Sequence, residues 1–267
     1  MLRHNPHIDQ IIDMADRPPP TDVQVVFRYA WPAGPSLDYP LQAHFFENLG
    51  LKVPRRFDAD YYIKAEETVA ADERLSLHQG ERLCALTPRV GWAGKAWSDA
   101  GWSDIIDRLR LAGWTPVIFS GTPLSGLPWS RCLNLSGQVN IRQTAPILAR
   151  CHAMLATEGG LTNLRFALRK PAVVMTCATK IGVQVWAPPE LCTEARNPQM
   201  CEPCMWRNGH AQAAGHYSGP PGETAGCPRG KSLRDLAGSD IWPILEGHLA
   251  ATAGGSDARP LTNGDSC

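Results

Sequence analysis

No charge of one sign dominates this sequence: 26 lysines and arginines stand against 26 aspartates and glutamates over 267 residues. A chain so balanced has no bulk field for nucleic acid or an acidic surface, and no nucleic-acid partner is expected. Nowhere do 18 apolar residues run together, so no transmembrane helix is predicted. Met1 to Asp9 lack the apolar core of a secretory signal, which predicts a cytoplasmic protein. No G-x-G-x-x-G turn follows a first strand, which disfavours a dinucleotide-dependent dehydrogenase.

Cysteine is present, but its nine copies are odd in number and do not form a disulfide framework in a cytoplasmic chain. Cys84, Cys132, Cys151 and Cys177 fall in apolar segments, where cysteine packs as a small hydrophobe. Cys192, Cys201, Cys204 and Cys227 crowd one loop region at about 188–230. Cys201-x-x-Cys204 has zinc-knuckle spacing, with Cys192 and Cys227 as further ligands and His210 and His216 as alternates. A closed set of four would be a structural zinc pinning an irregular loop. The other reading is free or loosely buried thiols.

Residues 1–78 carry too few elements to bury a sheet on both faces. Val23 to Phe27 is a predicted strand, and Leu41, Phe45, Phe46 and Leu49 form a helical stripe that Gly50 closes. From Arg82 strands and helices alternate. Leu83 to Thr87 and Thr115 to Phe119 read as buried strands. Between them a helix runs from Asp99 to Ala112, with Ser98 as N-cap and Gly113 past its end. A short strand at Cys132 to Gly137 and a helix through Ile141, Ala145, Ile147 and Leu148 follow. This alternation predicts a parallel α/β sheet with crossover connections. From Thr179 to Lys231 periodicity is lost; Ser232 to Ala250 restores a helical stripe, and residues 252–267 read as a disordered tail.

Within this frame one stretch stands out. Ala153 to Ala156 is an apolar strand leading to Glu158 and Gly159-Gly160, then a helix carrying Leu161, Leu164 and Leu168. Lys170-Pro171 ends the helix, and Ala172 to Met175 is the next strand. The turn enters a helix N-terminus, where unpaired amides favour an anion such as a diphosphate. An ordinary βα turn would use the same glycines. Ligands of parallel sheets lie beyond the carboxyl ends of the strands. Three glycine-bearing loops, from Thr87 to Lys95, at Ser120-Gly121 and from Glu158 to Asn163, all belong to that edge.

Thr87, Lys95-Ala-Trp97, the G-W-T-P-V-I-F-S-G segment and E-G-G-L-T-N-L-R-F-A-L together resemble the C-terminal half of glycosyltransferase family 9. These are the bacterial heptosyltransferases of the lipopolysaccharide inner core. Asn5-Pro6 to Asp9 resembles an N-P-x-x-D segment midway through the family's first domain. The sequence departs from the family at Ser98, where proline is usual, and at Asn163, where histidine is usual.

The resemblance implies the GT-B architecture: a complete Rossmann-like donor domain at 79–251 and a partial, acceptor-side α/β domain at 1–78. It implies inverting transfer of a sugar from a nucleoside diphosphate, of the ADP-heptose type, to a glycan or lipid-linked glycan. No catalytic cofactor is implied. Lys95 would neutralise the leaving diphosphate. Thr87 and the amides of Gly159, Gly160 and Leu161 would hold phosphate oxygens, with Gly121 on the same edge. Glu158 would accept from ribose or sugar hydroxyls, and Thr162 and Asn163 would be neutral donors at the helix start. The family's general base, an early acid of the first domain, has no assigned counterpart; Asp9, Asp13 and Asp16 are not assigned. Arg165, Arg169 and Lys170 could meet an anionic lipid or the inner membrane face, or simply be a solvated helix end. The alternative function is a non-catalytic nucleotide- or partner-binding remnant of the fold.

Overall fold

The computed structural model describes residues 43, 46, 50–53, 59–90, 95–177, 181–182, 187–198 and 233–253. The expected strand at Val23 to Phe27 lies outside them. Of the expected helix before Gly50, Ala43 and Phe46 are helical, and Gly50 takes a left-handed φ of 65°.

Six strands form one parallel sheet: β1 (Arg82–Thr87), β2 (Trp114–Ile118), β3 (Leu133–Asn134), β4 (Ala153–Thr157), β5 (Ala172–Thr176) and β6 (Cys192–Arg196). Their order is β3-β2-β1-β4-β5-β6. The chain winds outward from β1 in one direction to β3, then crosses back to β4 and winds outward in the other. The order therefore reverses between β1 and β4, and there the crevice for a ligand opens.

Helices cover both faces. On one, α2 (Asp99–Leu111) and α5 (Gly238–Ala253) bury Trp102, Ile105, Leu109, Ile241 and Leu245 against Leu86, Leu155 and Val173. On the other, α1 (Ala65–Arg74), α3 (Ile141–Arg150) and α4 (Gly160–Ala167) bury Ala71, Ile147, Leu148 and Phe166 with Ala85, Met154 and Val174. Burial on both sides explains why β1, β4 and β5 read as continuous apolar runs rather than alternating ones.

Local signals act as expected. The Ser98 hydroxyl accepts from the Gly101 amide at 3.1 Å and caps α2. Gly113 closes that helix at φ 75°. Three features depart from expectation. β6 lies inside the stretch read as an irregular Cys-rich loop; it is an edge strand with only Ala195 fully buried. The last helix is split, a 3-10 turn at Leu233–Asp235 preceding α5. And α1, whose sole fully buried residue is Ala71, has no apolar stripe to announce it.

A candidate anion-binding cleft at the β1–β4 switch point

Where the strand order reverses, a cleft of about 210 Å³ is lined by Thr87, Arg89, Val90, Lys95, Thr157, Glu158, Gly159, Gly160 and Leu161. Its floor is the carboxyl ends of β1 and β4, held in register by the pairing of Thr87 with Ala156. One wall is the loop that follows β1; the other is the start of α4.

The Lys95 wall is fixed by what comes just after it. The Trp97 side chain is buried, and its indole N–H donates to the Leu236 carbonyl at 2.8 Å. Its ring meets Trp102 edge-on at 5.0 Å and lies on Gly101, where a Cβ would fall 2.4 Å from the indole. Glycine at 101 lets the ring close over the first turn of α2. Trp97 is thus an anchor for the loop, and it places Lys95 two residues upstream over the cleft.

There the Lys95 ammonium meets the Glu158 carboxylate at 2.9 Å, with the two side chains 14% and 5% exposed. So little exposure limits solvent screening, so this pair differs from an ordinary surface ion pair. Arg89, which sequence reasoning passed over, adds a second cation to the lining. It lies 3.1 Å from Asp99 and 5.6 Å over the Trp129 ring. Thr157 was also missed. Its hydroxyl is buried and has no hydrogen-bond partner.

At the start of α4 the hydroxyl of Thr162 donates to the Gly159 carbonyl at 2.6 Å and accepts from the Gly159 amide at 3.1 Å. Gly159 N–H is thereby engaged within the turn. Gly160 and Leu161 are the first two helical residues, whose amides have no preceding turn to bond. A Cβ built at Gly160 meets nothing within 4 Å, so packing does not demand glycine there.

The structure therefore brings Thr87, Lys95, Glu158, Gly159, Gly160 and Leu161 to one cleft. Gly121 ends up beyond β2, exposed and outside the lining; Thr162 is buried as a cap, and Asn163 is exposed on the helix.

Arg165 requires a correction. Neither a solvated helix end nor a lipid contact describes it, because it is fully buried. Its guanidinium donates to the carbonyls of Leu148, Cys151, His152 and Pro171 at 2.6–3.2 Å. Arg169 pairs with Asp60 at 3.4 Å, and burial lowers the Lys170 pKa, aided by Arg165 and Arg150.

Comparison with known folds adds context. Similarity extends to a family 9 glycosyltransferase of Veillonella parvula, with TM-score 0.57 and 14% identity over 78% of this chain and 58% of that one. Its fold is that of family 9 glycosyltransferases. The ADP-heptose LPS heptosyltransferase II of E. coli matches with TM-score 0.55 and 16% identity, over 77% of this chain and 57% of that chain. The iron-containing heptosyltransferase TibC, in complex with ADP-D-beta-D-heptose, matches with TM-score 0.51 and 17% identity, over 76% and 52%. The chain thus spans just over half the length of these proteins. No family model and no curated protein matches the sequence.

No group of three or more His, Cys, Asp or Glu able to hold a metal occurs among the described residues. Of the cysteines considered for zinc, Cys192 is part-buried at the start of β6, and burial, with Glu194 nearby, raises its thiol to about 12. Cys201, Cys204 and Cys227, and the alternates His210 and His216, lie outside the described residues.

Proposed function

We propose that the cleft binds the diphosphate of a nucleotide-sugar donor, and that the chain carries the donor half of an inverting glycosyltransferase. The observation that supports this most is the part-buried Lys95 ammonium beside the first amides of α4, at the switch point of the sheet. A cation and a helix N-terminus converging on one spot select an anion. The cleft's volume falls below the 300–1,000 Å³ of pockets that swallow a whole drug-sized ligand. It fits the diphosphate, with nucleoside and sugar extending beyond its mouth.

In this reading an arriving diphosphate takes Lys95 from Glu158. The ammonium then offsets the charge that grows on the leaving group as the sugar carbon turns oxocarbenium-like. Glu158, released, accepts from ribose or sugar hydroxyls. Thr87 and the amides of Gly160 and Leu161 hold phosphate oxygens. Residues 79–251 are the donor half, and 1–78 belong to the acceptor side, with α1 the part of it that docks on the donor sheet. The acceptor is a glycan or lipid-linked glycan at the inner membrane face.

Calorimetric titration with ADP, ADP-sugars, UDP-sugars and NAD tests this. A nucleoside diphosphate or its sugar is expected to bind, and Lys95→Met to weaken it at least tenfold. Preference for NAD, or binding indifferent to Lys95, overturns the proposal.

A second reading, nucleotide binding without transfer, is favoured by one observation. Among the described residues the one carboxylate lining the cleft, Glu158, is engaged by Lys95, so they offer no separate base for an acceptor hydroxyl. Donor hydrolysis or transfer at an ordinary enzymatic rate by this chain would rule it out.

A further inference from the structure

Thr157 is the last residue of β4 and only 3% exposed, and its Oγ1 is the one hydroxyl among the described residues that is buried with no hydrogen-bond partner. Its peers at the same edge are satisfied. Thr176, ending β5, donates to the Glu194 carboxylate, and the Ser120 hydroxyl accepts from the Thr122 amide at 3.2 Å. A buried hydroxyl left unpaired destabilises the fold, and valine has the same shape without that penalty. Packing therefore does not account for a hydroxyl at 157.

Its position does. Alternation along β4 puts Thr157 on the sheet face of Ala153 and Leu155, the face covered by α2 and α5. Thr87, in register with Ala156, sits on the face of Leu83 and Ala85. The two threonines thus flank the sheet edge from opposite sides beneath one cleft, with Lys95 and the α4 amides above. Rotation about χ1 swaps the hydroxyl and methyl among staggered positions without moving the backbone.

Resting on the donor-binding reading, we infer that Thr157 is a specificity residue of the cleft, its hydroxyl donating to a phosphate oxygen of the bound nucleoside diphosphate. The ligand supplies the acceptor that the folded chain withholds. Binding then gains a hydrogen bond to an anion and removes a buried unsatisfied group in the same step.

The test compares wild type, Thr157→Val, Thr157→Ser and Lys95→Met by thermal unfolding without ligand and by titration with ADP. Thr157→Val should unfold at or above the wild-type temperature yet bind ADP about tenfold or more weakly, as expected for a lost hydrogen bond to a charged group. Thr157→Ser should restore most of the affinity. If Thr157→Val binds ADP within twofold of wild type while Lys95→Met does not, the Thr157 proposal fails alone. If Thr157→Val binds weakly but also melts well below wild type, the hydroxyl is structural and the proposal fails. Wild type that does not bind ADP overturns the donor reading and this proposal together.

Discussion

Arg165 shows how much one side chain holds in place. Its guanidinium reaches carbonyls at the end of α3, at the entry to β4 and before β5, and so ties three backbone segments together. Burial lowers its pKa to about 10, with nearby Cys151 and Cys84 opposing the shift, so it stays charged at neutral pH. Arg165→Met should cost about 3 kcal/mol or more, since four hydrogen bonds from one charged, buried donor are lost at once. That is a large share of a domain's usual stability of about 5–15 kcal/mol. Urea unfolding of the variant checks it; a midpoint close to wild type would refute the role. In the sequence, an arginine late in a helix beside Arg169 and Lys170 looks like any solvated basic end. Whether such a side chain points to water or to carbonyls is set by what the next strands place around it.

At the scale of elements, the contact between α1 and α3 is built from charge as much as from apolar area. Arg142 grips both Glu67 carboxylate oxygens, donating to Oε1 at 2.7 Å, and stacks over the Tyr61 ring at 4.9 Å. Arg150 holds Asp72 at 2.7 and 2.6 Å. Both pairs are two-pronged, but their surroundings differ: side-chain exposures are 20% and 19% for the first and 47% and 49% for the second. Screening decides between them. A double-mutant cycle on Glu67 and Arg142 should give a coupling of about 1 kcal/mol or somewhat more, and one on Asp72 and Arg150 no more than about 0.5 kcal/mol. Equal couplings would show that exposure is not the controlling variable. The same polarity hid α1 from view, for a helix docked through carboxylates carries no 3.6-residue apolar stripe. β6 was hidden for a related reason. As an edge strand it buries little, and its pairing with β5, from Ala172–Cys192 to Thr176–Arg196, is a property of the partner rather than of Cys192–Arg196 alone.

For the whole molecule, acid should be the weak point. Burial, with the charge of Arg165 adding to it, lowers the His248 imidazole on α5 to about 4. The unfolded chain, with a histidine pKa near 6.5, then binds more protons than the folded one between about pH 4 and 6.5. Stability contributed by the neutral ring is full above about pH 6.5 and is lost as pH falls toward 4. Melting temperatures across that window should decline, and His248→Leu should flatten the decline; an unchanged slope would exclude His248 as its source.

The sequence by itself determined the local grammar: strand after helix after strand, the Ser98 cap, the Gly113 stop, and a glycine turn opening a helix after Glu158. These follow from side-chain burial period and backbone preference, which are written residue by residue. The cleft needed more. That β1 and β4 are neighbours, although α2, β2, β3 and α3 lie between them in the chain, is a choice of strand order. Strand order depends on non-local hydrogen bonds and on the two helix layers fitting both faces at once. Only that choice sets Lys95 against Glu158 across the crevice, leaves Gly121 outside it, and strands the Thr157 hydroxyl without a partner at its floor.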